Sequence, residues 1–294
     1  MFFRTDMAVE RRDIYREANK LEDEIPGVDY KEERFSDTIK VTRVKILDEQ
    51  GEQALQKKRG VYTTIDVKRL NNITVEEEDN IINVVSNELK AILDKHIVKQ
   101  DEVLIIGLGN LYSTPDSLGN KVVKNIEITR HIKKYFPQYI DSGERAISAI
   151  CPGVLGTTGI ETFEIVKGLV ENVKPKMVFA IDSLASKSIE RISNSIQISD
   201  TGIVPGGGVR NARQELTEES LGVPVVSLGV PTTLDAATIV IDTLKMCNES
   251  NIQEKEIIDK LTLNNFNFIV TPKEIDEQIE AMSEIIGDVL NKTL

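Results

Sequence analysis

The stretch VLIIGLGNLYSTPDSLGN, residues 103–120, decides the fold class of this chain. It begins with the apolar run 103–106, passes through a Gly-Leu-Gly turn, and reaches Asp116 just before a helical pattern. A short apolar run that is followed directly by glycines predicts a buried strand from which the chain turns sharply. A strand, a turn and then a helix make up the repeating unit of an α/β sheet, where ligand sites lie at the carboxyl ends of the strands.

The same alternation of short apolar runs and amphipathic stretches continues to the end of the chain. Strands are predicted at 103–106, 145–150, 177–181, 223–228 and 266–270, and helices at 118–135, 159–173, 211–219, 233–246 and 272–290. This order predicts a three-layer α/β fold, in which a sheet of mainly parallel strands carries helices on both faces.

The first hundred residues are more highly charged than the rest and follow a different pattern. A short helix is predicted around 9–21, and another after Thr74, where a run of acidic residues suits a helix N-terminus. Between them, residues 38–47 mostly alternate apolar and polar side chains, and residues 60–70 are rich in β-branched residues. These two runs predict an N-terminal β-hairpin, which would form an antiparallel edge of the sheet or a small annex.

The composition of the chain argues against several classes of function. Its 294 residues include 36 Lys and Arg against 48 Asp and Glu, a net charge of −12 that disfavours direct binding to nucleic acid or to an anionic membrane. Two cysteines and two histidines provide no disulfide framework and few zinc ligands, which indicates a reducing compartment. With no apolar run of 18 residues and no signal core at the N-terminus, we predict a soluble cytoplasmic protein.

Two aspartates follow predicted strands, and together they suggest a catalytic pair. Asp116 comes after the strand at 103–106, and Asp182 directly follows the strand at 177–181. Each of them alone is equally well explained as a helix cap. At the ends of neighbouring strands, however, two close carboxylates would split their titration, so that one is protonated and the other ionised near neutral pH. Such a pair can activate a water molecule and donate a proton to a scissile amide.

The stretch ISDTGIVPGGGVRNARQE, residues 198–215, carries two weaker signals. The Asp-Thr-Gly tripeptide that starts at Asp200 matches the catalytic tripeptide of pepsin-like and retroviral aspartic proteases, but those folds are all-β and pepsin-like chains contain two copies. Gly206, Gly207 and Gly208 form either a plain turn before a helix or a loop whose free amides bind substrate carbonyls or an oxyanion.

Other chemistries have less support in the sequence. The third glycine of a dinucleotide-binding G-x-G-x-x-G motif would fall on Tyr112. No G-x-S-x-G motif occurs, so the serine site of an α/β-hydrolase is unsupported. Cys151 and His131 are candidates for a thiol–imidazole pair, but the position of Cys151 at a strand end favours structural burial.

Five long blocks of the sequence carry a family resemblance. They are FFRTDMAVE, GLGNLYSTPDSLGN, CPGVLGTTGIETFEIVKGLVE, AIDSLASKSIERISNSIQISDTGIVPGGGVRNARQELT and VPVVSLGVPTTLDAATI. These blocks resemble the germination protease of spore-forming bacteria, a family that cleaves small acid-soluble spore proteins when germination begins. Its members are made as inactive tetrameric zymogens that remove their own N-terminal pro-segment, and their fold resembles that of the hydrogenase maturation proteases.

The resemblance implies roles for particular residues. Asp116 and Asp182 match the aspartates regarded as catalytic in the family. The family's cleavage sites place an acidic residue before the scissile bond and a large apolar residue after it, which predicts self-cleavage between Asp6 and Met7. The implied organisation is a pro-segment, residues 1–6, and a single α/β peptidase domain, residues 7–294, with a charged N-terminal annex at 7–100 and the catalytic core at 101–294.

The resemblance also implies partners and leaves two alternatives open. It implies small acid-soluble spore proteins as substrates, a homotetramer located in the spore core, no cofactor, and no direct contact with nucleic acid or membrane. Related carboxylates in hydrogenase maturation proteases bind a metal ion, so a metal-dependent peptidase is the first alternative, although the scarcity of histidines argues against it. The second alternative is a non-catalytic maturation or binding protein on the same fold.

Overall fold

The computed structural model describes residues 5–68, 73–141, 143–206, 214–247 and 268–294. Within these ranges the strands are β1 (Val28–Arg34), β2 (Ile39–Ile46), β3 (Gly60–Val67), β4 (Val103–Gly107), β5 (Ile147–Ile150), β6 (Met177–Ser186), β7 (Ser195–Ser199), β8 (Val225–Asp235) and β9 (Ile269–Val270). The helices are α1 (Ala8–Asn19), α2 (Glu49–Leu55), α3 (Val75–Leu93), α4 (Leu118–Lys124), α5 (Arg130–Tyr135), α6 (Leu155–Thr158), α7 (Thr162–Val173), α8 (Glu218–Leu221), α9 (Ala236–Met246) and α10 (Ile275–Thr293). None of the helices in these ranges is both long and apolar enough to cross a lipid bilayer.

The strands of the described residues form one mixed sheet in the order β1-β2-β3-β7-β8-β6-β4-β5, with β9 paired to β8. The strands β5, β4, β6 and β8 are mutually parallel, as expected for the core of an α/β fold. The remaining pairs are antiparallel, so half of the sheet departs from the mainly parallel arrangement that the strand–helix alternation predicts. The predicted hairpin is formed by β2 and β3, and it continues the sheet through β7 as an antiparallel edge.

Helices cover both faces of this sheet, which confirms the predicted α/β layer architecture. On one face, α3, α4 and α10 pack on a large cluster of apolar side chains from β2, β3, β4, β6, β7 and β8. On the other face, α7 packs on β4 and β6, while α1 and α2 pack on β2 and β3. The two apolar clusters on this second face both contact the partly buried Ile203, and Leu184 of β6 belongs to the one under α1.

Several predicted boundaries differ in the structure. The helix predicted at 118–135 is two helices, α4 and α5, and the connection between the two hairpin strands contains the helix α2, with Asp48 as its N-cap. The strand predicted at 177–181 extends to Ser186, because β8 continues to pair with it beyond the point where β4 ends. Part of the helix predicted at 211–219 and part of the strand predicted at 266–270 lie outside the described residues.

Two strands have no counterpart in the sequence-based prediction. β1 is an edge strand that carries mostly charged and exposed side chains, so it shows no apolar periodicity of its own. β7 is short, and its five residues are all buried. It joins the antiparallel and parallel halves of the sheet by pairing with both β3 and β8, so only β8 separates it from β6.

Candidate active site

A cavity of about 1020 Å³ opens at the carboxyl ends of the parallel strands. Its lining includes Asp116 and Asp182, the two aspartates that the sequence singles out, and also Asp6 from the N-terminal segment. The cavity lies at the edge of the sheet where ligand sites are expected in α/β folds. The sections of chain that bring these side chains together are the β4–α4 turn, the second half of β6, and the residues that precede α1.

Asp182 lies within β6, one residue beyond the last pair that β6 makes with β4, Gly107 with Ile181. Its side chain is almost fully buried, with an exposed fraction of 5%. Its Oδ1 accepts a hydrogen bond from the backbone N–H of Ser183 at 2.9 Å, and the backbone N–H of Gly206 donates a second. Two backbone donors therefore fix the position of this carboxyl group in the cavity wall.

Asp116 ends a single 3-10 turn, Thr114–Asp116, between β4 and α4. Its Oδ2 accepts a hydrogen bond from the backbone N–H of Asn110 at 3.0 Å, and the neighbouring Pro115 carbonyl accepts one from the Thr232 hydroxyl at 2.6 Å. The turn also packs closely against Gly109, where a Cβ would lie 2.0 Å from the Asp116 carbonyl oxygen. Gly109 has a φ of +97°, a conformation that favours glycine. The Gly-Leu-Gly sequence therefore shapes the turn that carries Asp116.

Burial and the neighbouring charges both act on Asp182. Burial raises the pKa of Asp182 well above its usual range, and the neighbouring charges of Asp116 and Asp6 raise it further. The two backbone hydrogen bonds from Ser183 and Gly206 oppose this shift without cancelling it. The predicted pair is thus brought together, and a proton held by the cluster is best placed on Asp182.

The N-terminal segment enters the cavity as an extended peptide before α1 begins. The N–H of Asp6 donates to the Ala185 carbonyl at 2.8 Å, and the Ala185 N–H donates to Asp6 Oδ2, also at 2.8 Å. Met7, the next residue, has an exposed fraction of 0%. The segment is therefore bonded to β6 beyond the point where β4 ends, and the charge of Asp6, the residue before the predicted cleavage site, is close enough to act on Asp182.

Three further side chains contact or face this segment and were not identified from the sequence. Gln197 of β7 hydrogen-bonds the backbone on both sides of Met7. Arg11 and Lys57 also line the cavity; burial lowers the pKa of Lys57 to about 8, against the opposing effect of the Asp6 charge. A signal for β7 does exist in the sequence, since Ser-Ile-Gln-Ile-Ser alternates polar and apolar residues.

Of the two motifs in residues 198–215, the glycine loop contacts the aspartate pair through Gly206, whereas Asp200 of the Asp-Thr-Gly tripeptide contacts β3. Gly206 lines the cavity and donates its N–H to Asp182, whereas Gly207 and Gly208 lie outside the described residues. The side chain of Asp200 makes a structural contact. Its Oδ1 accepts a hydrogen bond at 2.7 Å from the backbone N–H of Val61, at the start of β3. Nothing in this contact places Asp200 in the aspartate pair.

The remaining candidates for site chemistry gain no support. Burial raises the pKa of the half-buried Cys151 thiol, which is the opposite of what a nucleophilic cysteine requires. In the part of the chain that the structure describes, no three His, Cys, Asp or Glu residues group together as ligands for a metal ion.

Comparisons with known proteins agree with one another. The family model described as "Germination protease" matches residues 5–254. Curated germination proteases from Clostridium perfringens (strain 13 / Type A), Caldanaerobacter subterraneus subsp. tengcongensis and Clostridium tetani are 43%, 44% and 43% identical to this chain. These alignments cover 99%, 99% and 100% of this chain and 94%, 94% and 96% of the relatives.

Among solved structures, a hydrogenase maturation protease from Thermococcus kodakarensis is 16% identical and aligns with a TM-score of 0.34, over 68% of this chain and 98% of the other. The family assignment rests on the sequence relatives, which match along almost the entire chain at well above 30% identity. The chain therefore belongs to the germination protease family, whose members are hydrolases of peptide bonds.

Proposed function

We propose that this chain is an endopeptidase that hydrolyses peptide bonds with Asp116 and Asp182 as an aspartate pair, without a metal ion. The observation that carries this proposal is the position of the chain's own N-terminal segment. Asp6 is bound by its main chain and its side chain to Ala185, three residues along β6 from the buried Asp182. A peptide held along the open edge of a strand is the arrangement that β-strand addition gives to an extended substrate.

The reaction assigns one role to each carboxyl group. Asp182, whose pKa is raised by burial and by its neighbours, starts protonated, and Asp116 starts ionised. The oxygen of a water molecule bonds to the scissile carbonyl carbon while Asp116 takes one of its protons, and the carbonyl π electrons move onto oxygen. When the C–N bond then breaks, the leaving nitrogen takes the proton of Asp182, and the products are a carboxyl group and an amine.

We further propose that the chain is a zymogen that cleaves itself between Asp6 and Met7. Asp6 provides the acidic residue before the bond, and the buried Met7 the apolar residue after it. While uncut, the segment fills the edge of β6 that a substrate would need, and it thereby inhibits the enzyme.

The family to which the chain belongs supports a proposal about its natural substrates and setting. We propose that the substrates are small acid-soluble spore proteins, that the enzyme acts in the spore core at germination, and that it assembles as a homotetramer. Size-exclusion chromatography with light scattering on the full chain tests the tetramer. Digestion of a purified small acid-soluble spore protein, followed by mass spectrometry of its fragments, tests the substrate class.

One experiment tests the catalytic assignment directly. The full-length chain and the variants Asp116→Asn and Asp182→Asn are incubated under mildly acidic, dehydrating conditions, and their N-termini are sequenced. We expect the unmodified chain to lose residues 1–6 and both variants to remain intact while staying folded. Full self-processing by both variants would refute the aspartate pair.

Two controls separate this mechanism from its alternatives. Asp200→Asn makes the same change in the Asp-Thr-Gly tripeptide while keeping an oxygen that can accept from Val61, and it should process normally. A chelator should leave the cleavage unchanged if the aspartates act alone, whereas loss of cleavage that zinc or another divalent ion restores would establish a metal-dependent peptidase. A chain that never trims its own N-terminus and never cleaves a substrate would be a binding or maturation protein.

A further inference from the structure

The carboxamide of Gln197 forms hydrogen bonds to the backbone on both sides of Met7, next to the Asp6–Met7 bond that we expect to be cleaved. Its Nε2 donates a hydrogen bond to the carbonyl oxygen of Asp6 at 3.1 Å, and its Oε1 accepts one from the N–H of Ala8 at 2.8 Å. The side chain is buried, with an exposed fraction of 6%. The Asp6 carbonyl is the carbonyl of the Asp6–Met7 peptide bond, so this contact is made to the atom on which negative charge would develop during hydrolysis.

The orientation of this amide follows from its two partners. The N–H of Ala8 can only donate and therefore requires the oxygen of the carboxamide, while the Asp6 carbonyl can only accept and requires the nitrogen. Reversing the amide would place two donors together at Ala8 and two acceptors together at Asp6. The donor is therefore held in place before the reaction begins, which is the condition for effective stabilisation of an oxyanion.

Sheet register places Gln197 and Asp182 in the same lateral row. Gln197 of β7 pairs with Gly229 of β8, and Gly229 pairs in turn with Asp182 of β6. Their neighbours Ile198, Leu228 and Ile181 point into the large apolar cluster, so these three residues face the opposite side, where α1 packs. With neighbouring strands about 4.8 Å apart, the Cα atoms of Asp182 and Gln197 are separated by about 10 Å across a residue without a side chain.

This spacing leaves room for one peptide group between the carboxyl group of Asp182 and the carboxamide of Gln197. The Asp6 carbonyl is bonded to Gln197 on one side, and the charge of Asp6 is close enough to Asp182 to raise the pKa of that group. A neutral donor suits this position, because a Lys or Arg side chain would pair with the aspartates and compete with their proton transfer.

Building on the proposed function, we propose that Gln197 is a third catalytic residue, which binds the carbonyl oxygen of the scissile bond and stabilises the oxyanion. When water bonds to the carbonyl carbon and Asp116 takes its proton, the electron pair of the C=O π bond moves onto the oxygen that Nε2 holds. The oxyanion then collapses, the C–N bond breaks, and Asp182 supplies the proton to the leaving nitrogen. Gln197 gains and loses no proton, and the proton that Asp116 took passes back to Asp182 before the next turnover.

The test compares variants that remove the donor in different ways. Gln197→Glu keeps the shape and the acceptor for Ala8 but, when ionised, has no donor for Asp6, whereas Gln197→Met keeps the length and removes both polar atoms. We expect the first-order rate of self-cleavage, measured by intact mass, to fall about 100- to 1000-fold in both variants, as for the loss of one oxyanion donor. Thr64→Val is the matched control, since Thr64 is the β3 register partner of Gln197 and its buried hydroxyl has no hydrogen-bond partner among the described residues.

A second measurement separates catalysis from binding. The substrate is a synthetic peptide of residues 1–12 of this chain, and the enzyme is the processed form. Residues 1–6 of the Gln197 variants are removed through an engineered cleavage site. We expect the Gln197 variants to have a much lower kcat and only a slightly higher KM than the unmodified enzyme. If either variant melts well below the unmodified chain, Gln197→Asn takes its place, because it keeps a buried amide but is one methylene too short to reach both partners. It should lose a similar factor.

The outcomes distinguish this inference from the proposal on which it rests. Gln197 variants that cleave within about threefold of the unmodified chain, while Asp182→Asn is inactive, would overturn the role of Gln197 alone. A change confined to KM would reduce Gln197 to a substrate-binding residue and also overturn it. Full activity of Asp182→Asn would instead overturn the aspartate pair, and cleavage at a bond other than Asp6–Met7 would remove the contact on which the inference depends.

Discussion

Asp6 and Ala185 bind each other in both directions: the N–H of Asp6 donates to the Ala185 carbonyl, and the N–H of Ala185 donates to the Asp6 carboxylate, each at 2.8 Å. This reciprocal pair is possible because β4 ends at Gly107 and leaves the edge of β6 without a strand partner. The side chain of Asp6 thereby comes close to Asp182, and its charge contributes to the raised pKa of that residue. The residue before the expected cleavage site therefore influences the acid that we propose donates the proton.

The first prediction concerns this charge. Asp6→Asn keeps an oxygen that can accept from Ala185 but removes a negative charge next to Asp182, so the pKa of Asp182 should fall. If Asp182 must be protonated to act, the pH above which self-cleavage declines will then move to a lower value. Rates of pro-segment loss measured from pH 4 to pH 8 will show this shift. Glu17→Gln, an exposed change on α1, should leave the profile in place, and an unchanged profile in Asp6→Asn would contradict the electrostatic coupling.

The second prediction concerns stability and pH. The pKa of Asp182 is raised in the folded chain, so the folded state holds a proton that the unfolded state releases above about pH 4. Its stabilising contribution is therefore complete below the unfolded pKa and is lost as pH rises towards the folded pKa. Across that window the unmodified chain should lose up to about 1.4 kcal/mol per pH unit relative to Asp182→Asn.

Urea unfolding of both proteins at each pH unit from 4 to 8 measures this difference. The relevant quantity is the gap between the two free energies of unfolding, which cancels the titration of all other groups. Thr64→Val, which changes no titratable group, should show a gap that does not change with pH. A constant gap for Asp182→Asn as well would mean that Asp182 titrates as an ordinary carboxyl group.

The third prediction compares two glycines in helices. Gly119 lies in α4, where a Cβ would come within 2.5 Å of both the Ile181 carbonyl oxygen of β6 and the nitrogen of Leu108, which follows β4. Gly119→Ala should therefore cost about 1–3 kcal/mol, as for other overpacked sites, and slow self-cleavage. Gly168 lies in α7 with nothing within 4 Å of its Cβ position, so Gly168→Ala should stabilise the chain by about 1 kcal/mol. Urea unfolding of the two variants, with opposite signs expected, checks the close approach of α4 to the sheet.

The sequence was most informative where local pattern and tertiary structure agree. Asp116 and Asp182 could be singled out because apolar runs mark β4 and the first half of β6, and because parallel strands end on the same side of a sheet. Asp182 nevertheless lies inside β6, since β8 continues beside it, and no local pattern encodes the length of a neighbouring strand.

The parts that were missed depend on contacts between distant segments. β1 is stabilised by pairing with β2, so its charged sequence gives no periodic signal. Gln197 becomes informative only when Asp6 and Ala8, about 190 positions earlier in the chain, lie against it. A glutamine in a short alternating run has many structural explanations, and only the bound segment shows which backbone atoms it contacts.

The last prediction concerns the anchor of α1, the buried carboxylate of Glu10, which is 3% exposed. It accepts hydrogen bonds from Thr5 Oγ1, Ser186 Oγ, the backbone N–H groups of Lys187 and Ser188, and Arg191 Nη1. Glu10→Gln turns an NH₂ group towards some of these donors and removes the charge that faces Arg191. We expect a loss of about 2–3 kcal/mol in unfolding free energy, because charged hydrogen bonds in a buried site are replaced by mismatched donors.

Urea unfolding measures this loss, and hydrogen exchange locates it. Exchange at the first turn of α1 and at residues 186–188 should accelerate, since these are the elements that Glu10 joins. Glu17→Gln, the same substitution at an exposed position of α1, should change the free energy by no more than about 0.5 kcal/mol. Equal effects of the two substitutions would show that Glu10 does not anchor the helix. A loss of unfolding free energy that occurs only with Glu10→Gln would establish that Glu10 holds the first turn of α1 in place. Because this turn directly follows the expected cleavage site, it would also hold Asp6 in position next to Asp182.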